Sequence, residues 1–399
     1  MSDTEPVKSK PKKGRKTLIF LLVVFVLQEI VIRIVYPLPE LANFDRISYM
    51  VANAEEKGSQ YLRNETWTWQ SAPDTSAVFK HYMNSYGFRD SEWTVERPED
   101  TKRAFFIGDS FVEGLMAEQD ETIPEGFKKA SGDKNLEVFN AGMLGVGLDS
   151  YVKLLADAIP IFKPDVVFIC IYANDLGKRE PIIPANSLTP QYFPTFRPRF
   201  LEVSKQKKTN GKLLPVWHDE MQPFMSPCPS PGNPWTQGEH ELKKHTTPAL
   251  AKQMKSGAFN PYRINEFHEE AIHLNQSPAL GGMLPFIQKI CKENGTTPVL
   301  VYIPGRNQVT DYYYEYELQL CTQLCSDSMN LTTDEYQFHQ KTLTEECAKS
   351  NIQFIDLTDL IKAKEAKGEH LFWNYDSHMK GKGYLLLGKS IWKEWKKAN

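Results

Sequence analysis

The feature that most constrains the fold is a short apolar run that stops abruptly at a small polar turn. Four apolar residues, Ala104 to Ile107, follow a charged stretch and lead directly into Gly108-Asp109-Ser110. An unbroken apolar run of this length is typical of a strand that is buried on both faces of a parallel sheet. Because a helical pattern follows the turn, we expect Ser110 at the C-terminal edge of the sheet, where an open α/β fold forms its crevice.

The composition is that of a globular protein. The protein has 399 residues, of which 41% are hydrophobic and 24% charged, which is enough for one large domain or two small ones. The net charge of −3 gives no reason to expect a nucleic-acid partner. The sequence contains no phosphate-binding loop pattern, CxxC pair or HExxH helix, so we expect neither a cofactor nor a metal.

Six cysteines in a protein of this length do not indicate a disulfide scaffold. Cys170 lies in an apolar run and is expected to be buried. The other five could pair if the domain lies outside the cytoplasm, and the sequence leaves the pairing open: Cys228, Cys291, Cys321, Cys325 and Cys347.

The N-terminal region predicts a membrane anchor. Residues 1–16 form a basic tail, and Leu18 to Leu27 is an unbroken apolar run. Residues 17–36 read as one helix would be about 30 Å long, which matches the hydrocarbon thickness of a bilayer. The basic tail places the N-terminus in the cytoplasm and the rest of the protein outside. The alternative is a cleaved signal peptide, but no Ala-x-Ala follows at the right distance, so we favour an uncleaved anchor.

Two charged residues, Glu29 and Arg33, lie within this helix and share one face because they are four residues apart. Charges in a membrane span often mark a partner helix. The simpler interpretation, which we favour, is that Arg33 extends to the outer interface and Glu29 pairs with it.

The rest of the sequence alternates strands with helices. We expect residues 37–100 to be an extended segment that wraps a domain of residues 101–399. Residues 180–280, rich in proline and scattered aromatics, are an insertion that could be a lid, a substrate platform or disordered. The alternation predicts a flavodoxin-like three-layer α/β/α fold with a mostly parallel sheet of about five strands. Further strands are expected at 136–142, 164–175, 297–304 and 352–357, and helices at 123–130, from 151 to a stop at Pro160, and at 282–292, 333–350 and 384–395.

Polar residues mark four places in this pattern: Ser110, Gly145, Asn174, and the pair Asp376 and His378 before the last helix. That order resembles the SGNH or GDSL-like hydrolase family. It is most similar to the membrane-anchored bacterial branch, whose N-terminal helix carries a Glu and an Arg and leads into an Asn-x-x-Gly-Phe-Arg segment. Asn84-Ser-Tyr-Gly-Phe-Arg89 fits that segment.

The resemblance implies a role for each of these residues. Ser110 would be the nucleophile, His378 its base, and Asp376 the group that orients the base. The backbone N–H groups of Ser110 and Gly145 and the side-chain amide of Asn174 would form the oxyanion hole. This sequence departs from the family in reading Gly-Asp-Ser-Phe, and in separating Asp376 from His378 by one residue where two are commonest.

The chemistry supports these roles, since a serine hydroxyl needs an oriented imidazole to remove its proton and the oxyanion needs preorganised donors. Structural alternatives remain. Asn174 could cap a helix or a turn, and Asp376 could cap the last helix. His378 could be a surface histidine. Gly145 could be only a turn glycine, with Gly142 as the alternative donor.

The sequence therefore predicts a single-pass membrane protein with an extracytoplasmic (periplasmic or cell-surface) serine esterase domain. It would hydrolyse or transfer an acyl group, with an O-acetylated envelope glycan as the expected substrate, and Glu29 and Arg33 could bind a membrane partner. The alternative is a non-catalytic glycan-binding or scaffold component of an envelope polysaccharide assembly.

Overall fold

The computed structural model describes residues 13–44, 46–49, 63–69, 77–176, 188–193, 196–221, 248–258, 280, 282–313, 316 and 337–398. Within these ranges the strands are β1 (Thr66–Trp69), β2 (Phe79–Tyr82), β3 (Lys102–Gly108), β4 (Leu136–Gly142), β5 (Val166–Tyr172), β6 (Thr297–Ile303) and β7 (Gln353–Asp356). The α-helices are α1 (Lys13–Val35), α2 (Ser110–Glu113), α3 (Ile123–Ser131), α4 (Leu148–Phe162), α5 (Arg199–Met221), α6 (Pro248–Ser256), α7 (Met283–Glu293), α8 (Phe338–Lys349), α9 (Thr358–Glu365) and α10 (Gly381–Ala398).

A parallel sheet forms the centre of the described structure. Its five strands pair in the order β4-β3-β5-β6-β7, and every pairing is parallel. The prediction of a parallel sheet of about five strands is therefore confirmed. Because the polypeptide passes from one side of β3 to the other after β4, the order is flavodoxin-like and the topological switch point lies between β3 and β5.

The buried strands are apolar because helices cover both faces of the sheet. All seven residues of β5 are buried, as expected for a central strand covered by helices on both faces. Phe106 on β3 stacks on Phe168 of β5, with ring centroids 4.6 Å apart. Phe127 on α3 packs edge-on against both rings, so this aromatic cluster joins a helix to the sheet.

The predicted end of α4 at Pro160 was wrong. The helix runs on to Phe162 and ends at Lys163, whose N–H donates to the carbonyl oxygen of Ile159 at 2.9 Å. A proline in the last turn removes one hydrogen bond but does not unwind a helix that is held by packing. The buried side chains of Ile161 and Phe162 supply that packing.

Helix α1 is the one described helix that is long and apolar enough to cross a membrane, over Gly14–Val35. A signal sequence would pass the same test. Residues 1–12 of the basic tail lie outside the described residues.

The stretch after α1 contributes to the core. Phe44, Tyr86, Phe88 and Trp93 are buried in the same cluster as the central strands. The antiparallel pair β1 and β2 has its own smaller cluster, which also includes Leu115 and Met116 from the turn after α2. The segment between α1 and β3 thus packs on the region around Ser110.

Parts of two further expectations lie outside the described residues. Cys170, Cys291 and Cys347 are buried free thiols, whereas Cys228, Cys321 and Cys325 are not described. In the 180–280 region, α5 and α6 are described, while 177–187, 222–247 and 259–279 are not.

Candidate active site

Ser110 lies where the sequence predicts, at the junction of β3 and α2. Asp109 caps α2, and its Oδ1 accepts a hydrogen bond from the N–H of Phe111 at 2.9 Å. Burial raises the pKa of the Asp109 carboxyl to about 6, although the Phe111 N–H and the charge of His378 oppose the shift. Glycine is required at Gly142, since a Cβ there would lie 2.0 Å from the backbone nitrogen of Glu113. The end of β4 can therefore lie directly against the serine helix.

Three of the predicted residues form a continuous series of hydrogen bonds. The Oγ of Ser110 lies 2.8 Å from Nε2 of His378, and Nδ1 of His378 lies 2.6 Å from Oδ1 of Asp376. All three side chains are buried. With the proton of the neutral imidazole on Nδ1, that nitrogen donates to Asp376 and Nε2 accepts the hydroxyl proton of Ser110. This is the arrangement that a serine nucleophile needs.

The single residue between Asp376 and His378 does not prevent the contact. Oδ1 of Asp376 accepts from both the backbone N–H of His378, at 2.8 Å, and its ring Nδ1. An aspartate that bonds the backbone two residues on forms a tight local turn, which fixes the ring as well. Asp376 therefore contacts His378, whereas the alternative gave it a capping role on α10, which begins at Gly381.

The two predicted oxyanion residues lie on either side of Ser110. Gly145 follows β4 with a φ of +73° and is exposed. Asn174 follows β5 in a short 3-10 turn and is exposed as well. Because β4 and β5 are the two neighbours of β3, both residues lie at the C-terminal edge that carries Ser110.

Hydrogen bonds after β4 distinguish Gly145 from Gly142 as the candidate donor to the oxyanion. The N–H of Gly142 donates to Oδ1 of Asn140, the N–H of Met143 to the carbonyl of Gly108, and the N–H of Leu144 to Oε2 of Glu113. The Gly142 N–H is thus engaged within the fold. Gly145 is the next residue along, so it is the better candidate donor to a substrate oxygen.

On the other side, Asp175 holds the turn that carries Asn174. Its carboxylate accepts from the N–H of Tyr172 at 2.9 Å and from the hydroxyl of Tyr151 at 3.0 and 3.1 Å. Burial and the charge of Asp175 raise the pKa of Tyr151 well above its usual value, so the tyrosine remains a donor. The contacts of the buried Asp175 therefore hold the turn in place, while Asn174 stays exposed.

A buried carboxylate next to the serine was not predicted. Glu113 is fully buried on α2, three residues after Ser110. Its Oε2 accepts from the Leu144 N–H at 2.8 Å and from Nη2 of Arg46 at 2.7 Å, and its Oε1 lies 3.2 Å from Nδ1 of His81. Burial alone would raise its pKa, but the Arg46 charge and the His81 contact outweigh it and lower the pKa to about 2. A charged Glu113 thus joins the serine helix to the turn that carries Gly145.

Two buried arginines hold the remaining parts of the site. Arg89, from the Gly-Phe-Arg segment, donates to the carbonyls of Glu113, Gly114 and Ala117, which form the turn after α2. Burial lowers its pKa to about 10, so it stays charged at neutral pH. Arg306, just after β6, donates through Nη1 to the carbonyls of Trp373, Asn374 and Asp376 at 2.6, 3.0 and 3.0 Å. It therefore fixes the loop that carries Asp376 and His378.

Only one of these supporting residues has a signal in the sequence. Arg89 lies in the segment that the family resemblance singles out. Arg46, His81, Glu113 and Arg306 have no pattern of their own, because their partners lie far away along the sequence. Arg306 and Trp373, for example, are 67 residues apart.

No known family model matches the sequence, and no curated protein matches it. Similar solved structures include a lipase/acylhydrolase from Enterococcus faecalis, 16% identical, covering 75% of this chain and 97% of that chain with a TM-score of 0.36. An acetylxylan esterase from Geobacillus stearothermophilus is 13% identical, and the match covers 75% of this chain and 96% of that chain with a TM-score of 0.36. A lipolytic protein of the G-D-S-L family from Veillonella parvula is 11% identical, with 73% and 97% covered and a TM-score of 0.32.

At these TM-scores the overall likeness does not decide the function, and the side-chain geometry must do so. The described sheet and its flanking helices fit the α/β fold of SGNH hydrolases, and Ser110, His378 and Asp376 are within hydrogen-bonding distance of one another. The parallel sheet and these contacts agree with the sequence-based expectation of a serine esterase, and membership of the SGNH or GDSL-like family stays a prediction. The roles of the individual residues and the membrane-anchored branch remain predictions.

Replacing Glu113 by glutamine should destabilise the protein strongly. The Glu113→Gln variant keeps the shape of the side chain but leaves the buried charge of Arg46 uncompensated, which costs about 3 to 5 kcal/mol. Urea unfolding measures the difference. The matched control is Glu125→Gln, since Glu125 is part-exposed and lies 3.8 Å from Lys128; it should change stability by less than about 1 kcal/mol. Equal losses in both variants would contradict this account.

Replacing Arg306 by lysine should slow catalysis without unfolding the domain. A lysine carries a charge but cannot reproduce the guanidinium contacts with three carbonyls, so the Asp376 loop would move. We expect kcat for an ester substrate to fall about tenfold to a hundredfold with little change in KM. Arg97→Lys is the control, because Arg97 forms an exposed ion pair with Asp165. Unchanged kcat in Arg306→Lys would show that the loop does not need this contact.

The buried His81 should make stability depend on pH. Burial, and then the charge of Arg89, lower the pKa of His81 from its ordinary 6.5 to about 3. Below pH 6.5 the unfolded protein therefore takes up a proton that the folded protein does not, and stability falls as the pH falls. Between pH 6.5 and 5, His81→Gln should reduce the slope of unfolding free energy by up to about 1.4 kcal/mol per pH unit. Identical slopes in chemical denaturation would contradict this assignment.

Proposed function

We propose that this protein is a membrane-anchored, extracytoplasmic serine esterase or O-acyltransferase that acts on an acylated envelope glycan. The observation that carries the proposal is the series of contacts from Ser110 Oγ through the His378 ring to Asp376, at 2.8 and 2.6 Å. A serine hydroxyl in contact with an oriented imidazole is an effective nucleophile, because the imidazole can remove its proton.

The first half of the reaction follows from this geometry. Nε2 of His378 accepts the hydroxyl proton as Ser110 Oγ attacks the ester carbonyl carbon. The negative charge that develops on the carbonyl oxygen is stabilised by the N–H groups of Ser110 and Gly145 and the amide of Asn174. Each such donor contributes about 3 kcal/mol. When the tetrahedral intermediate collapses, His378 returns the proton to the departing alkoxide, and the acyl group stays on Ser110.

The second half decides between hydrolysis and transfer. His378 removes a proton from water or from a sugar hydroxyl, and that oxygen attacks the acyl-Ser110 carbonyl. The Ser110–acyl bond then breaks, and Oγ recovers the proton from His378. Water gives a free acid, and a sugar hydroxyl gives a new ester. The two outcomes share one intermediate and the same catalytic residues.

The location and the substrate class follow from the N-terminal region. A span-length apolar helix after a basic tail favours an uncleaved anchor with the domain outside the cytoplasm. A domain held there faces the glycans of the envelope, and O-acyl groups on those glycans are esters of the kind that a serine nucleophile attacks. The second candidate, a glycan-binding scaffold component, needs none of the contacts between Ser110, His378 and Asp376, and we therefore rank it lower.

The serine mechanism predicts that Ser110→Ala and His378→Ala each lower p-nitrophenyl acetate hydrolysis by about a thousandfold or more. Both variants should remain folded, because Ser110→Ala removes no charge and Asp376 keeps the backbone N–H of residue 378 as a donor in His378→Ala. The full-length protein in detergent is assayed, with circular dichroism as the check on folding. Ser131→Ala is the matched control, since Ser131 is partly exposed at the end of α3, and its activity should equal that of the wild type.

Activity that survives in Ser110→Ala would rule out the serine mechanism. If the wild type itself shows no hydrolysis, mass spectrometry after incubation with the acetyl ester separates the two remaining cases. An acetyl group on Ser110 indicates a transferase that awaits its acceptor. No adduct indicates the scaffold.

A further inference from the structure

Helix α5 contacts the membrane anchor at an unexpected depth. The rings of Phe25 on α1 and Phe200 on α5 pack edge-to-face with centroids 5.9 Å apart. If the hydrocarbon ends at Tyr36, Phe25 lies about 16 Å below its surface, because an α-helix rises 1.5 Å per residue. If it ends at Gln28, Phe25 lies about 4 to 5 Å below it. In either case the start of α5 is level with the hydrocarbon.

One backbone N–H at the start of α5 is satisfied by the anchor. Glu29 is buried although it lies on an otherwise exposed helix, and its Oε1 accepts from the backbone N–H of Arg199, the first residue of α5. A helix N-terminus has N–H groups without intrahelical partners, and leaving them bare in hydrocarbon costs several kcal/mol. If the hydrocarbon ends at Tyr36, Glu29 thus supplies an acceptor where water cannot.

The surface around this contact is apolar and exposed. Phe196 and Leu201 are 68% and 54% exposed, and Tyr192 is also exposed. Outside α1, the other exposed large apolar residues in the described ranges are Val78, Tyr82 and Phe338. Half of the set therefore falls within the short stretch that meets the anchor.

Three arginines lie next to this apolar surface. Nη2 of Arg33 donates to the carbonyl of Arg197 at 2.8 Å, and Nη2 of Arg197 donates to the carbonyl of Pro39 at 2.9 Å. With Arg199 these form a cluster of cationic side chains that can reach lipid phosphates while their stems lie on apolar surface. Farther along α5, the exposed side chains include three lysines, Lys205, Lys207 and Lys208.

The other end of this stretch of α5 is tied to the catalytic region. Nδ2 of Asn210 donates to the carbonyl of Arg63 at 2.8 Å and to Oε1 of Glu65 at 3.0 Å. Glu65 leads into β1, which belongs to the smaller hydrophobic cluster that includes Leu115 and Met116 after α2. Helix α5 therefore joins the anchor to the region next to Ser110.

We infer that the first turn of α5, with Phe196 and Leu201, is inserted in the outer leaflet of the bilayer and holds the catalytic domain against the lipid surface. The occupant of this apolar surface is the acyl tail of lipid, since the surface continues the lipid-facing side of α1 and lies at the same depth. This inference rests on the proposed anchoring by α1, and its test must separate the two.

The test uses p-benzoylphenylalanine, which bonds to nearby C–H groups of lipid acyl tails on illumination. It replaces Phe196 or Leu201 in the full-length protein, reconstituted in vesicles of phosphatidylethanolamine and phosphatidylglycerol. Leu22, 60% exposed on α1, is the positive control, and Phe338, exposed on α8, is the negative control. Circular dichroism confirms that each variant is folded. Mass spectrometry should find phospholipid adducts at positions 22, 196 and 201 and only background at 338.

Each other result overturns the inference. Adducts at position 22 alone would leave the anchor in place but put α5 outside the hydrocarbon. No adduct at any position would remove the anchor and the inference together. Adducts at all four positions, including 338, would show that lipid contact is not specific to α5. In cell membranes, protein adducts instead of lipid adducts at 196 and 201 would show that a protein partner covers this surface.

Discussion

The candidate site depends on the carboxylate of Glu113, a charge buried completely inside the protein. Such a charge is stable only where other charges and donors replace the water that it has lost. Here Arg46, His81 and the Leu144 N–H do so, and they come from three separate parts of the sequence. The serine helix, the turn with Gly145 and the segment after α1 must therefore fold together for the site to form at all.

The same principle recurs in the two arginines. Arg89 and Arg306 each bind several backbone carbonyls, one set in the turn after Ser110 and the other in the loop that carries Asp376 and His378. A guanidinium is well suited to this task, because its donors are fixed in one plane and it remains charged when buried. Each loop at the crevice is thereby fixed by a charged group beneath it. For the proposed reaction, preorganisation of this kind lowers the barrier, since donors that are already placed need not reorganise as charge develops.

The difference between local and long-range contacts explains what the sequence could predict. Ser110 and Asn174 follow apolar runs directly, so local periodicity locates them at strand ends. The predicted end of α4 was wrong, because packing carries the helix through Pro160. The strand predicted at 164–175 ends at Tyr172, where it gives way to a 3-10 turn. The supporting residues left no local signal. Glu113 and Arg46 are 67 residues apart, and nothing in either neighbourhood indicates that a buried pair will form. Only the folded sheet brings them together.

The position of Arg46 has a consequence for α1. Arg46 follows the end of α1 closely, and the residues between them are pinned at several points: Glu40 N–H donates to the Tyr86 hydroxyl at 3.0 Å, and Ala42 N–H donates to the Gln191 carbonyl at 2.7 Å. A stretch held this tightly cannot act as a flexible tether, which would need a solvated segment without such contacts. The segment that completes the buried charge network beside Ser110 is thus the same one that leaves α1. The orientation of α1 and the geometry of the site are consequently set by one continuous set of contacts.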